Sequence, residues 1–484
     1  MKFKFSKLFL TIVLIGILLF TLRPSIGDPD FWWHLKTGQV IVQTKQIPQF
    51  DSFSFTVNGH KWVTHEWLTE VIIYKLFTIG GFNLVIIFFS LLLLSAYSLT
   101  IFRCEDRTHL YTVGLALLLG VIMSTPVLWA RPQVFTILYS SLFLLLLDLY
   151  IKRGKVIFLL PLPFIMLLWV NQHGAFIIGL VIIGVFVLGK LIDSIVIIIS
   201  KKQFRLVIWD RKLIFLFGAL FLSTSVTLIN PSGSRILIYP FQTLSDTSMQ
   251  RYIVEWASPD FSERTWIPLA VMFLSLLGFG LKFSHKISTT NVILCIIFGY
   301  MALSAIRHVA LFSLVAIPIL SSQLTEAFPK MDDSRQRGQL PTLFIFLVLC
   351  GMMFLLINTT LNLDEKQEII IKNSYPVNAV NYLKENIPNA HVFNSYKWGG
   401  YLIWNFYPEQ KVYIDGRADV YGGDFVAQHR DIILTMPGWK KMLGDKKIRL
   451  VLVEPDTPLA YALQISEEWV LLHEDDVSVL YQRK

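Results

Sequence analysis

Charged residues and cysteines are scarce in this chain of 484 residues. Charged side chains make up 16% of it, against about a quarter in a typical soluble protein, while 54% of its residues are hydrophobic. The three cysteines, Cys104, Cys295 and Cys350, have neither a metal-binding nor a redox spacing, so the sequence predicts no zinc site and no disulfide framework. It also lacks a glycine-rich phosphate-binding loop of either common type, which argues against a nucleotide-binding domain.

Long apolar runs occupy the first 360 positions instead. Because runs of roughly 17–25 residues can cross a bilayer, the sequence predicts a polytopic α-helical membrane protein with about eleven spans. No small-residue cleavage site follows the first run, so we expect an uncleaved first span rather than a signal peptide. The predicted spans are 6–22, 82–102, 109–127, 133–151, 156–171, 175–199, 212–229, 267–283, 290–306, 309–325 and 341–358.

Lysine and arginine indicate the orientation of these spans. They cluster in six short segments that fall on one side of the membrane: 2–7, 103–107, 152–155, 201–212, 282–286 and 330–337. The positive-inside rule makes that side cytoplasmic, so the net charge of +9 reflects topology and no nucleic-acid partner is expected. We therefore expect a protein of the cytoplasmic (inner) membrane with its N-terminus inside and everything after residue 358 extracytoplasmic.

Composition changes after residue 358, which predicts two domains: a transmembrane domain over 1–358, with a structured first outer loop at 23–81, and an extracytoplasmic α/β domain over 359–484. In the outer loop, residues 30–44 are predicted to be helical. Alternation around Asn58-Gly59 predicts a β-hairpin over 53–63, and His65-Glu66-Trp67 opens a further helix. Strands are predicted in the tail at 391–395, 411–415, 449–453, 469–473 and 477–481, with helices at 376–386, 398–406, 424–435 and 438–446.

The stretch from Gly27 to His34, Gly-Asp-Pro-Asp-Phe-Trp-Trp-His, is the leading candidate for chemistry. Carboxylates kept at the end of a membrane span are functional candidates, and Asp28 or Asp30 is placed to act as a general base. The alternative is an ordinary helix cap, with Asp28 as the cap and Pro29 at the first helical position. The two interpretations are compatible, because a capped helix also fixes the carboxylates in place.

Arginines at the outer ends of other spans suggest a site for an anionic lipid headgroup. The planar guanidinium of Arg131 or Arg307 suits phosphate oxygens, and Arg235 lies in the outer loop 230–266. The alternative for each arginine is snorkelling to the interface or pairing with Asp28, Asp30 or Glu255. A lipid-linked phosphosugar, whose tail stays in the bilayer, fits the first interpretation.

A divalent cation, Mg²⁺ or Mn²⁺, is an option that the outer-side residues leave open. His34, His65, Glu66 and His173 are candidates to join Asp28 or Asp30 around such an ion, with Asp28 and His65 as its first ligands. Their spacing matches no compact metal motif. For His173 the alternative is a hydrogen-bonded turn at the end of a span.

The stretch Asp28-Pro29-Asp30-Phe31-Trp32-Trp33-His34, followed by many spans and an outer α/β tail, resembles the GT-C superfamily of membrane glycosyltransferases, in particular the oligosaccharyltransferases and protein O-mannosyltransferases. The motifs Trp-Ala-Arg-Pro-Gln at 129–133, Asn-Gln-His-Gly at 171–174, Asn-Pro-Ser-Gly at 230–233 and Glu-Trp-Ala-Ser-Pro at 255–259 resemble a bacterial branch of the same superfamily. The resemblance implies polyprenyl-phosphate or -diphosphate sugar donors and gives Asp28, or Asp30 as the alternative, the catalytic or metal-binding role.

The tail carries a second point of resemblance, in the segment that includes Trp398-Gly399-Gly400-Tyr401. This segment resembles the Trp-Trp-Asp-Tyr-Gly motif with which oligosaccharyltransferases read an acceptor Ser or Thr. The aspartate of the motif is missing here, so recognition of a protein sequon does not follow. Asp415-Gly416-Arg417-Ala418-Asp419 is interpreted as a strand end that turns through glycine, with contact to a sugar acceptor as the alternative.

The sequence thus predicts a glycosyltransferase of the cell envelope that moves a sugar from a polyprenyl-phosphate donor to a glycan, lipid or protein acceptor on the outer face of the membrane. Its predicted catalytic residues are Asp28 and Asp30, and its predicted substrate-binding residues are His34, His65, Glu66, Arg131, His173, Arg235, Glu255 and Arg307. A transporter or flippase of a lipid-linked or anionic solute is one alternative, although the spans show no convincing internal repeat and little charge. A non-catalytic membrane scaffold is the other.

Overall fold

A computed structural model describes residues 5–22, 28–104, 109–201, 210–245, 254–283, 287–329, 363–387 and 390–484, together with positions 351, 355 and 358. It divides the chain into two compact units. The first, here called the helical unit, comprises Met1–Arg23, Ile86–Gly233 and Val254–Leu361. The second, here called the α/β unit, comprises Pro24–Val85, Ser234–Ile253 and Asn362–Lys484.

The chain up to residue 329 is built from helices. Their bounds are α1 Phe5–Thr21, α2 Phe31–Thr44, α3 Trp67–Ile101, α4 Leu110–Ser124, α5 Gln133–Arg153, α6 Pro161–Trp169, α7 Ile177–Lys201, α8 Arg211–Val226, α9 Arg235–Ser245, α10 Ile267–Phe283, α11 Thr289–Ser304 and α12 Val309–Ala327. Within the helical unit, α12 is buried along most of its length. Gly120 of α4 allows close packing there, because a Cβ at this position would lie 2.5 Å from Ile317 of α12.

Among the described residues, six helical segments are long and apolar enough to cross a membrane: Trp67–Ile101, Leu110–Val127, Gln133–Arg153, Gly174–Val196, Arg264–Phe283 and Ile306–Ala327. The predicted spans from 6–22 to 309–325 each fall on a helix, whereas 341–358 lies outside the described residues apart from isolated positions. The predicted count of about eleven spans is not confirmed, because α6, α8 and α11 are shorter than a full span needs and the predicted span 341–358 is not described.

Helix α3 is interrupted at Gly80-Gly81, just before the predicted start of the second span at residue 82. Gly81 has φ +59°, a conformation that a side chain disfavours. The carboxylate of Asp364 accepts hydrogen bonds from the backbone N–H of Asn83, at 3.1 Å, and from its side-chain amide. Asp364 therefore caps the part of α3 that follows the break.

The C-terminal residues of the α/β unit form a four-stranded sheet with strand order β1-β2-β4-β3, from β1 Val392–Asn394, β2 Leu450–Val453, β3 Trp469–Glu474 and β4 Val479–Arg483. Strands β1 and β2 are parallel, and the other pairs are antiparallel. The helices of this region are α13 Leu363–Ser374, α14 Val377–Asn386, α15 Gly399–Phe406, α16 Ala418–Tyr421, α17 Gly423–Ile433, α18 Trp439–Asp445 and α19 Pro458–Gln464. Four of the five predicted strands and all four predicted tail helices are present.

The predicted strand at 411–415 is wrong, and the predicted hairpin at 53–63 is displaced. The chain reverses at Asn58-Gly59, but the antiparallel pairing joins 49–51 to 60–62, with Asp51 N–H donating to His60 O at 2.8 Å and Trp62 N–H to Gln49 O at 2.9 Å. Residues 53–55 pair with the other segment instead: Phe55 N–H donates to Val412 O at 3.0 Å, and Val412 N–H donates to Phe53 O at 3.0 Å. The Asp51 carboxylate also accepts from the N–H groups of Phe53 and Ser54, which holds this part of the loop in a turn rather than in a strand.

Candidate active site

Asp28 and Asp30 lie together at the start of α2 in the α/β unit, and both are half-buried. The helix begins at Phe31, so the cap position belongs to Asp30, and the predicted cap at Asp28 with Pro29 as first helical residue is wrong. Asp28 instead accepts a hydrogen bond from the backbone N–H of Asp30 at 3.0 Å. This local turn fixes the two carboxylates next to one another.

The carboxylate of Asp30 is held by a side chain of its own helix and by a segment far along the chain. Its Oδ1 accepts a hydrogen bond from Trp33 Nε1 at 3.0 Å. Gly416 packs against the same oxygen so closely that a Cβ at Gly416 would overlap it. The hydroxyl of Tyr396 donates to the carbonyl oxygen of Gly416 at 3.2 Å. Burial and the charges of Asp30 and other nearby carboxylates raise the pKa of Tyr396 well above its usual value, so this hydroxyl keeps its proton.

His34, one helical position beyond Trp33, is 4% exposed and lies between two buried glutamates. Its Nε2 is 3.5 Å from Glu66 Oε2, and its Nδ1 is 3.4 Å from Glu70 Oε1. Burial alone would lower the pKa of His34, but the hydrogen bond that it donates to Glu70 and the charges of Glu66, Glu70 and Asp30 raise it above the usual value. These interactions therefore favour the protonated form of the His34 imidazole.

A second histidine, His65, extends this group of buried ionisable side chains. Its Nε2 is 3.5 Å from Glu66 Oε1, and its ring packs on Tyr239 of α9 with 4.5 Å between ring centroids. Tyr239 donates a hydrogen bond to Asp419 Oδ2 at 3.3 Å. Burial would lower the pKa of His65, but Glu66, Asp419 and the Val63 carbonyl raise it to about 9. Burial raises the pKa of the Asp419 carboxyl, although the nearby His65 and Arg417 act to lower it.

A buried arginine anchors the segment that brings Gly416 and Asp419 to this site. Arg417 donates to both oxygens of Asp415 at 2.7 Å and lies 2.7 Å from Asp51 Oδ1. Its guanidinium is 4.9 Å from the Phe53 ring centroid and 4.6 Å from that of Trp62. The loop residues 51–62 and the segment 415–419 are thus held together by a buried guanidinium that pairs with carboxylates and stacks on aromatic rings.

Sequence reasoning found Asp28, Asp30, His34, His65 and Glu66 but missed Glu70, Tyr239, Tyr396 and the contribution of 415–419. The Asp-Gly-Arg-Ala-Asp pattern was a usable signal, since it places two acids and an arginine around one glycine. Interpreting it as a simple turn overlooked its proximity to Asp30. Glu70 follows Glu66 by four residues, which places both on one helix face toward His34.

In the helical unit, the structure brings together Arg131, Glu255 and Arg307. Arg131 forms an ion pair with Glu255 and donates to Gln133 Oε1 at 2.7 Å, and the Gln133 amide donates to the Arg307 carbonyl at 2.9 Å. The guanidinium of Arg307 lies 4.5 Å from the Trp256 ring centroid. Burial would raise the pKa of Glu255, but the two arginines lower it below its usual value. Two arginines around one carboxylate leave this cluster positively charged.

The two remaining predicted residues lie apart from these contacts. Nδ1 of His173 is 2.7 Å from Thr136 Oγ1, and His173 also accepts from the N–H of Ala175, which is the hydrogen-bonded turn weighed as its alternative. Arg235 is the first residue of α9 in the α/β unit, where it is exposed.

Within the described ranges, no group of three or more His, Cys, Asp or Glu side chains is arranged to hold a metal ion. Asp28 contacts the N–H of Asp30, whereas His65 contacts Glu66 and Tyr239. The described residues therefore do not fit the predicted Mg²⁺ or Mn²⁺ site with Asp28 and His65 as ligands.

Comparison with protein-family models and with curated protein sequences finds no match. Solved structures do match. The archaeal oligosaccharyltransferase AglB from Archaeoglobus fulgidus, in complex with an inhibitory peptide and a dolichol-phosphate, has a TM-score of 0.56 at 12% identity, over 99% of this chain and 75% of that chain. ArnT from Cupriavidus metallidurans, bound to undecaprenyl phosphate, has a TM-score of 0.52 at 11% identity, over 99% of this chain and 98% of that one.

The chain therefore shares the fold of these two solved proteins, in agreement with the fold that the sequence resemblance to GT-C glycosyltransferases predicted. The chain is a multi-pass membrane protein of this fold.

Proposed function

We propose that this protein is a glycosyltransferase that moves a sugar from a polyprenyl-phosphate-linked donor to an acceptor on the outer face of the cytoplasmic membrane. The observation that carries the proposal is the pair of half-buried carboxylates, Asp28 and Asp30, fixed beside the buried His34–Glu66–Glu70 group. The fold supports it, since solved proteins of this fold contain dolichol-phosphate or undecaprenyl phosphate.

In the proposed reaction, the carboxylate of Asp28 or Asp30 takes the proton from an acceptor hydroxyl or amide. The acceptor atom then forms a bond to the anomeric carbon of the sugar. The bond from that carbon to the phosphate oxygen breaks, and the polyprenyl phosphate leaves with the electron pair. Attack opposite the leaving phosphate inverts the configuration of the sugar.

The surrounding residues suit this task. Trp33 and Gly416 hold Asp30 in one position, which favours the alignment that a general base requires. The His34 imidazole has two buried glutamates as partners and so provides a place for a proton next to the carboxylates. We assign phosphate binding to Arg131 and Arg307 of the helical unit. The two guanidinium groups share one carboxylate, that of Glu255, and guanidinium groups bind phosphate oxygens well.

Substitution of each carboxylate by its amide tests the proposal. Asp28→Asn, Asp30→Asn and the double variant are compared with the wild type in proteoliposomes, by transfer of radiolabelled sugar from polyprenyl-phosphate and -diphosphate donors into cell-envelope material. Loss of a general base lowers the rate by about 10²–10⁴-fold, and the single variant with the larger loss identifies the base.

Asp424→Asn, which removes an exposed carboxylate of the α/β unit, is the matched control and is expected to keep wild-type activity. Wild-type rates in both single variants and in the double variant would disprove the catalytic assignment. A wild-type protein that transfers sugar from none of these donors would disprove the function itself.

A further inference from the structure

A carboxylate, that of Glu255, lies beside the two arginines to which phosphate binding is assigned. It forms an ion pair with Arg131. Burial would raise the pKa of Glu255, but the charges of Arg131 and Arg307 lower it below its usual value, so the carboxyl group is ionised at neutral pH. Because an ionised carboxylate repels phosphate, a site that only had to attract phosphate would exclude this residue.

The residues that follow Glu255 are fixed to the segment just before α12. The N–H of Ile306 donates a hydrogen bond to the carbonyl oxygen of Ala257 at 3.0 Å. The guanidinium of Arg307 lies 4.5 Å from the ring centroid of Trp256. Contacts of its own segment therefore hold Glu255 next to the arginines, and its carboxylate is a fixed part of the cluster.

Holding Arg131 in place does not require a charge. The guanidinium of Arg131 also donates to Gln133 Oε1 at 2.7 Å, and the Gln133 amide donates to the Arg307 carbonyl at 2.9 Å. This neutral side chain already links the two arginine residues. What Glu255 adds to the cluster is a negative charge.

Among the described residues, the cluster carries one net positive charge, because the guanidinium groups of Arg131 and Arg307 are set against the carboxylate of Glu255. His173 adds no charge, since its Nδ1 accepts a hydrogen bond at 3.3 Å from the backbone N–H two residues further on and is therefore unprotonated. His308 adjoins Arg307, whose charge disfavours a second positive charge beside it. Without Glu255 the cluster would carry two positive charges.

The two donor classes implied by the sequence resemblance differ in charge. A sugar linked to a polyprenol through one phosphate is a phosphodiester with one negative charge, whereas a diphosphate linkage carries two. Taking a charge out of water costs a free energy that grows with the square of the charge, but attraction to the site grows only in proportion to it. One net positive charge therefore compensates one ionised phosphate and leaves a second uncompensated.

We propose that Glu255 is a specificity-determining residue, which makes this cluster select a sugar linked through a polyprenyl monophosphate over its diphosphate counterpart. By pairing with Arg131, it cancels the charge that a second phosphate would need. The inference rests on the phosphate binding that the proposed function assigns to Arg131 and Arg307, and it goes beyond that function by naming the donor class.

Binding of two sugar-free probes to the full-length protein in neutral detergent tests the inference by calorimetry. Farnesyl methyl phosphate carries one negative charge, and farnesyl methyl diphosphate carries two. We expect the wild type to bind the monophosphate probe more tightly. Glu255→Gln is expected to shift the ratio of the two Kd values at least about tenfold toward the diphosphate probe, because loss of the carboxylate favours the doubly charged ligand more.

Two further variants separate charge from geometry. Glu255→Asp keeps the carboxylate and is expected to keep the monophosphate preference. Glu263→Gln, which removes an exposed acid of the same outer loop, is the matched control and is expected to leave the ratio at the wild-type value. Unchanged thermal melting of each variant shows that the fold is intact.

Three results would overturn the inference: tighter binding of the diphosphate probe by the wild type, no binding of either probe, or an unchanged ratio in Glu255→Gln, which would mean that Glu255 only orients Arg131. Because the assay needs no turnover, it separates the two proposals. Monophosphate-selective binding by a protein without transferase activity supports the inference alone. Transfer from the diphosphate donor in preference to the monophosphate donor supports the function and contradicts the inference.

Discussion

Gly416 shows how one residue without a side chain defines the candidate site. A Cβ at this position would overlap Asp30 Oδ1 and approach Trp33 Nε1 to 3.3 Å. Because Gly416 has no side chain, the segment 415–419 can pack against the two atoms that form the hydrogen bond between Trp33 and Asp30. We therefore expect Gly416 to act as a positioning residue for the Asp30 carboxylate.

Gly416→Ala is expected to lower sugar transfer by at least about tenfold, because the methyl group must displace Asp30 or the backbone that carries it, and small misplacements of reacting groups are costly. The measurement is the initial rate of transfer from the polyprenyl-phosphate donor. Gly444→Ala is the matched control, since a Cβ there meets no atom within 4 Å. Equal rates for the two variants would show that Gly416 does not position Asp30.

At the scale of elements, the break in α3 separates two parts of one helix that serve different purposes. The part before Gly80 carries Glu70 toward His34, and the part after Gly81 is the apolar span predicted from residue 82. Asp364, at the start of α13, caps the second part at Asn83. A short helix far along the chain thus defines where the span begins.

Asp364→Ala is expected to reduce stability by about 1 kcal/mol, the usual effect of losing a helix cap. Thermal melting in detergent would show the loss, and hydrogen exchange at the amide of Asn83 would locate it. Glu368→Ala, an exposed acid on the same helix, is the control for the lost charge. The same melting temperature for both variants would contradict a capping role.

Local patterns predicted some elements well and others not at all. Helix α2 and the start of α3 follow from periodicity and from the residues at their ends. The segments 53–63 and 411–415 alternate like strands, yet their hydrogen bonds join residues far apart in sequence: Thr56 donates to the Tyr413 carbonyl across 357 positions. Alternation indicates a half-buried extended segment, but it does not identify the segment it pairs with.

At the scale of the whole molecule, contacts between residues far apart in sequence determine how much of the candidate site could be predicted. Asp28, Asp30, His34, His65 and Glu66 are close in sequence and follow an apolar span, so one sequence was enough to group them. Tyr239, Tyr396 and Asp419 come from parts of the chain that only folding brings to them. Buried Arg417 makes this assembly stable by pairing Asp51 with Asp415.

The buried histidines predict how stability depends on pH. His65 titrates near 9 when folded, against 6.5 for an unperturbed imidazole, and the pKa of His34 is raised as well. A raised pKa means that these interactions stabilise the fold fully below pH 6.5 and that their contribution is lost as the pH rises toward 9. The melting temperature is therefore expected to fall across this window.

His65→Gln is expected to have a lower melting temperature at pH 6.5 and a flatter dependence up to pH 9, because the titrating partner of Glu66 is gone. His60→Gln, which changes an exposed histidine of the same loop, is the control and keeps the wild-type slope. A wild-type melting temperature that rises over this range would refute the assigned charge of His65.

The close approach of α15 to the chain before α2 limits which residues can replace Gly400. Gly400 occupies the place of the aspartate in the sequon-reading motif that its neighbourhood resembles, and a Cβ there would come within 2.6 Å of the Pro29 carbonyl oxygen. Introducing the acid would push on the peptide that joins Asp28 to Asp30. Replacement of Gly400 by aspartate alone would therefore disturb the two carboxylates proposed to be catalytic, so the acid of that motif needs further changes around it to fit here.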